Sequence, residues 1–310
     1  MLKLLLRRIA IAIPTLLVVY TLVFAMAHAT PGSPWSASSD RPVPEEVQRN
    51  LDREFHLDDP ITVQYVSYLG NAVRGDFGIS YQNRTQSVGQ IISAFLPVSL
   101  QLGIAALVLA VLVGLPLGAL AALRSGGWID GAVSVFTTLG VALPTYVITS
   151  VLIVLLGSLL GLVPTVGWDG IFSSSALVPV VALSMAPMAG VTRYFRSSML
   201  DTLHSDYVRT ARAKGIPARW IVVRHMARNA LIPVITVLGV YASLVLVGSF
   251  FVETIAGVPG LGHEFVLSIT QRDYPVIMGT TLLFATVVLV MNTLVDVLYM
   301  VVDPRIRLAS

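Results

Sequence analysis

Residues 206–233 read DYVRTARAKGIPARWIVVRHMARNALIP, a basic, helix-forming insert in a chain that is otherwise apolar. Arg209, Arg212, Lys214, Arg219, Arg224 and Arg228 crowd it, and runs long enough to cross a bilayer stand on either side. The insert is therefore a loop held at one membrane face, and its cations assign that face to the cytoplasm. Ser205 or Asp206 is suited to cap a first short helix, and Gly215 to end it in the left-handed region. Pro217 then fits the first turn of a second short helix, which puts a hinge at Gly215 to Pro217. Ala211 and Gly215 stand four apart in the chain. Read as one helical face, that pair of small residues offers a partner a place to come close.

These residues carry a resemblance. Ala211, three residues, Gly215, then apolar positions and Pro233 resemble the EAA loop of ABC importer permeases, the coupling element that sits in a groove of the cytoplasmic ATPase. DYVRTARAKG and RNALIPVIT are similar to the branch that imports peptides and nickel, with Arg209 where the general pattern has glutamate and Thr210 where it has its first alanine. The resemblance implies ATPase-coupling roles for Asp206, Tyr207, Arg209, Thr210, Ala211, Lys214, Gly215 and Pro217. FHLDDPITVQY, RGDFGISY, QRDYPVIMG and NTLVDVLYMVVDPRIR resemble further parts of the same permeases, as do Pro31-Gly32-Ser33-Pro34 and the turn Val258-Pro259-Gly260-Leu261-Gly262 after Glu253.

Bulk properties agree with a membrane protein. The 310 residues are 55% hydrophobic and 12% charged, with mean hydropathy +0.80, far from the balance of a soluble domain. The net charge of +3 comes from cations scattered among loops, a pattern that argues against a nucleic-acid surface. There is no cysteine, which excludes disulfides, thiol nucleophiles and thiolate metal sites.

Lys3, Arg7 and Arg8 precede an uncharged stretch from Ile9 to about Thr30, a first span with its cationic end inside. A secretory signal fits the basic start and Ala27-His28-Ala29, but the apolar core is longer than such signals use, so the span is expected to be retained. Residues 31–97 are polar and are expected outside, with short helices over Glu45 to Phe55 and Ile61 to Arg74 set off by Pro42, Pro44 and Pro60. The acids there lack the spacing of an oxygen-ligand loop, and no metal site is expected. Five further spans are expected near Val98 to Leu123, Gly131 to Leu160, Leu177 to Leu200, Ala230 to Val252 and Val276 to Val302. The result is an all-α polytopic membrane protein of about six helices: a first helix at 1–30, an outer segment at 31–97, a five-helix core at 98–302 with a coupling loop at 201–229, and a tail at 303–310. Fourteen of the 20 Lys and Arg residues fall inside on this topology, Arg193, Arg196, Arg305 and Arg307 among them, so both termini are expected in the cytoplasm.

Gly114 and Gly118 invite close helix packing. Asp296, with Asn292 a turn before it, is the one acid expected within a span, about 10 Å from the inner end at Asp303 by helical rise; a structural helix contact is the favoured reading. No catalytic pattern survives inspection. His263-Glu264 begins HExxH and fails it, Ser249 lacks a Gly-x-Ser-x-Gly turn, and there is no GxxxxGKS or GxxxxGKT phosphate loop. Without a phosphate loop the chain is not expected to bind and hydrolyse ATP by that means, and the energy is expected to come from elsewhere. A stand-alone ion-coupled carrier is the alternative, but such carriers pair charges within the membrane. The resemblance implies a second related permease, two ATP-binding subunits or domains and an extracytoplasmic solute-binding protein as partners, in a bacterial-type inner membrane, with no cofactor. Dipeptide, oligopeptide, glutathione, nickel chelate and sugar importers share these features, so the cargo stays open on the sequence.

Overall fold

The computed structural model describes residues 2–30, 32–36, 44–203, 205–217 and 220–302. Pro31, Pro42, Arg219, Asp303, Arg305 and Arg307, which entered the sequence reading, lie outside them. The described residues are helical throughout apart from loops and one isolated bridge between Ile79 and Ser87. By backbone contacts the chain forms two units, Met1–Ser99 with Pro259–Leu289, and Leu100–Val258 with Val290–Ser310.

In the first unit, α1 (Leu2–Ala29) is the first span. α2 (Glu45–Glu54) starts after Pro44 with Glu45 and Glu46 in its first turn, where acids suit the helix dipole. α3 (Ile61–Val73) starts after Pro60 and lies against the C-terminal half of α1. There Tyr20 and Phe24 of α1 meet Tyr65 and Tyr68 of α3, and the Tyr20 hydroxyl donates to the Tyr65 carbonyl at 2.6 Å. The turn after α3 is held by one carboxylate. Buried Asp273, between α10 (Leu261–Gln271) and α11 (Tyr274–Val302), accepts from the Ser80 hydroxyl and from the backbone N–H groups of Tyr81 at 3.1 Å and Gln82 at 3.3 Å.

α4 (Val88–Leu123) starts ten residues before the expected Val98. Its N-terminus is a capping box, in which Gln90 N–H donates to Ser87 Oγ at 3.2 Å and Ser87 N–H to Gln90 Oε1 at 2.9 Å. At 36 residues it is about 54 Å long by helical rise, well beyond a hydrocarbon layer of roughly 30 Å.

The second unit is organised around α7 (Leu177–Leu203), a helix buried along most of its length. The expected close packing of α4 is present: a Cβ on Gly114 would come within 3.0 Å of Val191, and one on Gly118 within 2.7 Å of the Thr192 carbonyl. Thr192 Oγ1 also donates to the Gly114 carbonyl at 3.2 Å. Gly190 of α7 makes room in the same way for Tyr241 of α9 (Ala227–Ala256), and Gly239 of α9 for Val295 of α11.

The third span departs from the single helix expected over Gly131 to Leu160. It is α5 (Trp128–Ala142) followed by α6 (Thr145–Leu152) and a π turn, Ile153–Leu159, with a change of direction of 108°. The cause is Pro144. Its ring forces Leu143 out of the helical region, to φ −83° and ψ 128°, and it has no N–H to continue the ladder. The fifth span is also a bent pair, Asn229–Val245 with Ser249–Ala256, so four continuous helices and two bent ones give up to six crossings among the described residues.

Candidate functional site

The basic stretch folds as α8 (Asp206–Ala213). Ser205 occupies the N-cap position, its carbonyl accepting from Val208 and Arg209 N–H, both at 3.2 Å. Its hydroxyl does not cap the helix as expected but donates backward to the Thr202 carbonyl at 2.6 Å. Asp206 therefore acts only through its charge in the first turn, with Arg209 at 3.8 Å and both side chains largely in solvent. Thr210 Oγ1 donates to the Asp206 carbonyl at 2.9 Å, and the Asn229 amide of α9 donates to the Tyr207 hydroxyl at 3.1 Å.

Gly215 ends the helix. It adopts φ +73°, and Ile216 N–H donates to the Ala211 carbonyl at 3.2 Å, the six-to-one bond of a Schellman stop. Ile216, at the position that usually adds an apolar contact, packs into the same cluster as Ala211. The chain then turns at Pro217, whose carbonyl accepts from Trp220 at 2.9 Å and Ile221 at 3.2 Å. Among the described residues that follow, the chain is helical from Trp220 and passes through a π turn, Ile221–Met226, directly into α9.

The two small residues do not share a face. Because the helix stops at Ala213 and Gly215 is left-handed, their four-residue interval no longer means one turn. Ala211 points inward and is buried with Val208 against Phe195 and Met199 of α7 and Met226 and Ala230 at the root of α9. Gly215 is exposed, and a Cβ there would meet no atom of this chain within 4 Å. Tyr207, Arg209, Thr210, Lys214, Gly215 and Pro217 all lie on the exposed side. α8 is thus a polar, basic ridge outward, bolted inward to the ends of two spans.

Asp296, half-buried, sits one residue before the end of the apolar stretch Tyr274–Val297, beside Val295, which packs on Gly239; Asn292 is exposed. Another charged pair was not legible as a pair. Arg196 of α7 donates from Nε to Asp130 Oδ1 at 2.6 Å and from Nη2 to Oδ2 at 2.7 Å, with Asp130 only 7% exposed at the start of α5. Asp130 Oδ2 also accepts from Gly126 N–H at 3.0 Å. The signal available in the sequence was that the expected span Leu177 to Leu200 contained Arg193 and Arg196, which places them within the membrane rather than in a loop. Among the described residues no group of His, Cys, Asp and Glu could hold a metal.

The loop between the π turn of α6 and α7 lies at the far end of this unit from α8, since Gly167 N–H donates to the Ala256 carbonyl at the other end of α9, 3.0 Å away. The chain matches the description "Binding-protein-dependent transport system inner membrane component" over residues 114–308 and the N-terminal part of that description over residues 1–103. It is 44% identical to the dipeptide transport system permease protein of Bacillus subtilis over 95% of this chain and 94% of the relative. It is 41% identical to the oligopeptide transport system permease protein of Escherichia coli K12 and 39% identical to that of Haemophilus influenzae, each over 99% of this chain and 100% of the relative. These relatives are transport permeases, and with apolar helices along its length this chain belongs to the inner membrane components of binding-protein-dependent transport systems.

Proposed function

We propose that the chain is the membrane-spanning subunit of an ATP-driven importer for peptides or a similar small solute. Its companions are a second related permease, two ATP-binding subunits or domains and an extracytoplasmic binding protein that delivers the cargo. The observation that carries the peptide reading is the end-to-end likeness to permeases named for dipeptide and oligopeptide transport.

On this reading α8 is the coupling element, and Asp206, Tyr207, Arg209, Thr210, Lys214, Gly215 and Pro217 form the surface offered to the ATPase, while Ala211 fastens that surface to the bundle. Val208, Ala211 and Ile216 share one apolar cluster with α7 and the root of α9, so a displacement of α8 moves the ends of two spans as one body, a rigid coupling of two states. The loop and both termini are then cytoplasmic, and residues 31–87 and the loop before α7 are outside. With Arg193 and Arg196 assigned to the membrane, twelve Lys and Arg remain inside against six outside, which keeps the same orientation. Asn292 and Asp296 act as a helix contact near the inner end of α11. Mild-detergent purification followed by mass spectrometry of the companions tests the reading: an ATPase and a second permease are expected, and a lone polypeptide that transports on an ion gradient contradicts it.

A further inference from the structure

The second unit holds a polar cleft of about 240 Å³ between α5 and α7, lined by Ser134, Thr137, Thr138, Thr192, Arg193 and Arg196 with one apolar wall residue, Val133. Ser134, Thr137 and Thr138 follow Asp130 along one side of α5 at helical intervals. Charge in the cleft is unequal. Arg196 is neutralised by its two hydrogen bonds to Asp130, whereas Arg193 reaches Thr138 Oγ1 through Nη2 at 3.4 Å and has no carboxylate within ion-pair distance among the described residues. The cleft therefore carries a net single positive charge surrounded by hydroxyls.

Depth decides what such a site can take. Arg193 lies ten residues before the end of α7 and Thr138 ten after the start of α5, about 15 Å along each axis. The guanidinium stays at the level of Thr138, within the apolar length of α7, instead of extending to the helix end. Arg193, Ser134 and Thr138 are exposed on this chain. A cation and hydroxyls turned outward within an apolar span belong against a neighbouring helix or a water-filled route rather than acyl chains.

We propose that this cleft is a transit site for an anionic group of the cargo, in which Arg193 and Thr138 take one carboxylate as it passes; for a peptide, that group is its C-terminal carboxylate. The proposal rests on the importer reading above. A guanidinium and a hydroxyl give the group charge-assisted hydrogen bonds, and the neutralised Arg196 keeps the hold weak enough for release.

The test uses the complete importer with its binding protein in vesicles, and measures uptake of one peptide with a free C-terminus and of the same peptide C-terminally amidated. Comparing variant with wild type for each cargo cancels the binding protein's own preference. R193Q should lower uptake of the free peptide roughly tenfold, the order of one charge-assisted hydrogen bond, and change uptake of the amide less than about twofold; R193K should recover part of the loss and T138V should reproduce part of it. Equal loss for both cargoes, or loss of the second permease from purified R193Q complexes, assigns Arg193 a structural or interface role and overturns the proposal. So does an Arg193 effect that appears only in vesicles containing anionic lipid. Failure of the wild type to import either peptide overturns the peptide importer reading and this proposal together, while good wild-type uptake with no response to R193Q overturns this proposal alone.

Discussion

Arg196 and Asp130, 66 residues apart, form a two-pronged ion pair that fastens the N-terminal end of α5 to α7, with contacts of 2.6 and 2.7 Å and side-chain exposures of 30% and 10%. Removing one partner strands the other charge, whereas removing both does not.

D130L or R196M alone is accordingly expected to destabilise the protein by about 3–5 kcal/mol, and the double variant D130L with R196M by clearly less. Unfolding midpoints in detergent, compared around the double-mutant cycle, measure this. A loss in the double variant equal to the sum of the two single losses would mean that the pair contributes nothing as a pair.

At Gly215 the conformational and the contact effects can be separated. The residue needs φ +73° but has open space around it, so G215A costs about 1 kcal/mol of local stability from backbone strain and G215N less. If a subunit closes over this surface, G215V and G215N should both insert normally while cargo-stimulated ATP hydrolysis falls with side-chain size. A211L should behave differently, loosening α8 because Ala211 is buried against its own bundle. A fall in hydrolysis that followed strain alone, sparing G215N fully, would remove the contact.

How much of this was legible in the sequence depends on how local the cause is. The end of α8 at Gly215 was readable because a left-handed stop is written in one residue, and so was the grip of Gly114 and Gly118, because a close approach in a bilayer uses small residues. The Ser87–Gln90 box was equally local and marks the true start of α4, but an apolar-run criterion looks past it to Val98. The inward direction of Ala211 depends on where the helix stops relative to α7, and the choice of Asp130 as Arg196's partner depends on the packing of α5; neither is encoded nearby. Pro144 was visible, but a proline in a span reads equally as a mild kink, and only the extended Leu143 turns it into a change of direction of 108°.

Glu264, in α10 outside the spans, makes a pH-dependent prediction. Burial pushes its carboxyl above the ordinary value, with His263 opposing. A carboxyl whose folded-state pKa is raised favours the fold below its unfolded value, and that contribution is lost as pH rises through the raised one. E264Q, always neutral, should therefore be more stable than wild type near neutral pH and match it in acid. Unfolding midpoints across pH test this, and a variant less stable at neutral pH contradicts it.

Topology is open to a two-sided labelling test, since the chain has no cysteine. A cysteine at Ala213, on the exposed side of α8, should resist an impermeant thiol reagent in intact cells and react after lysis. One at Phe172, which is fully exposed in the loop before α7, should react from outside. The reverse pattern would invert the proposed orientation.

The central claim is that this bundle has no engine and moves only when α8 is driven by a nucleotide-consuming partner. Its most direct measurement is peptide uptake into vesicles holding this chain with and without its co-purified ATPase, under ATP and under an imposed ion gradient. Uptake should require both the ATPase and ATP and ignore the gradient; uptake by the lone chain along a gradient, with no nucleotide present, would contradict the account.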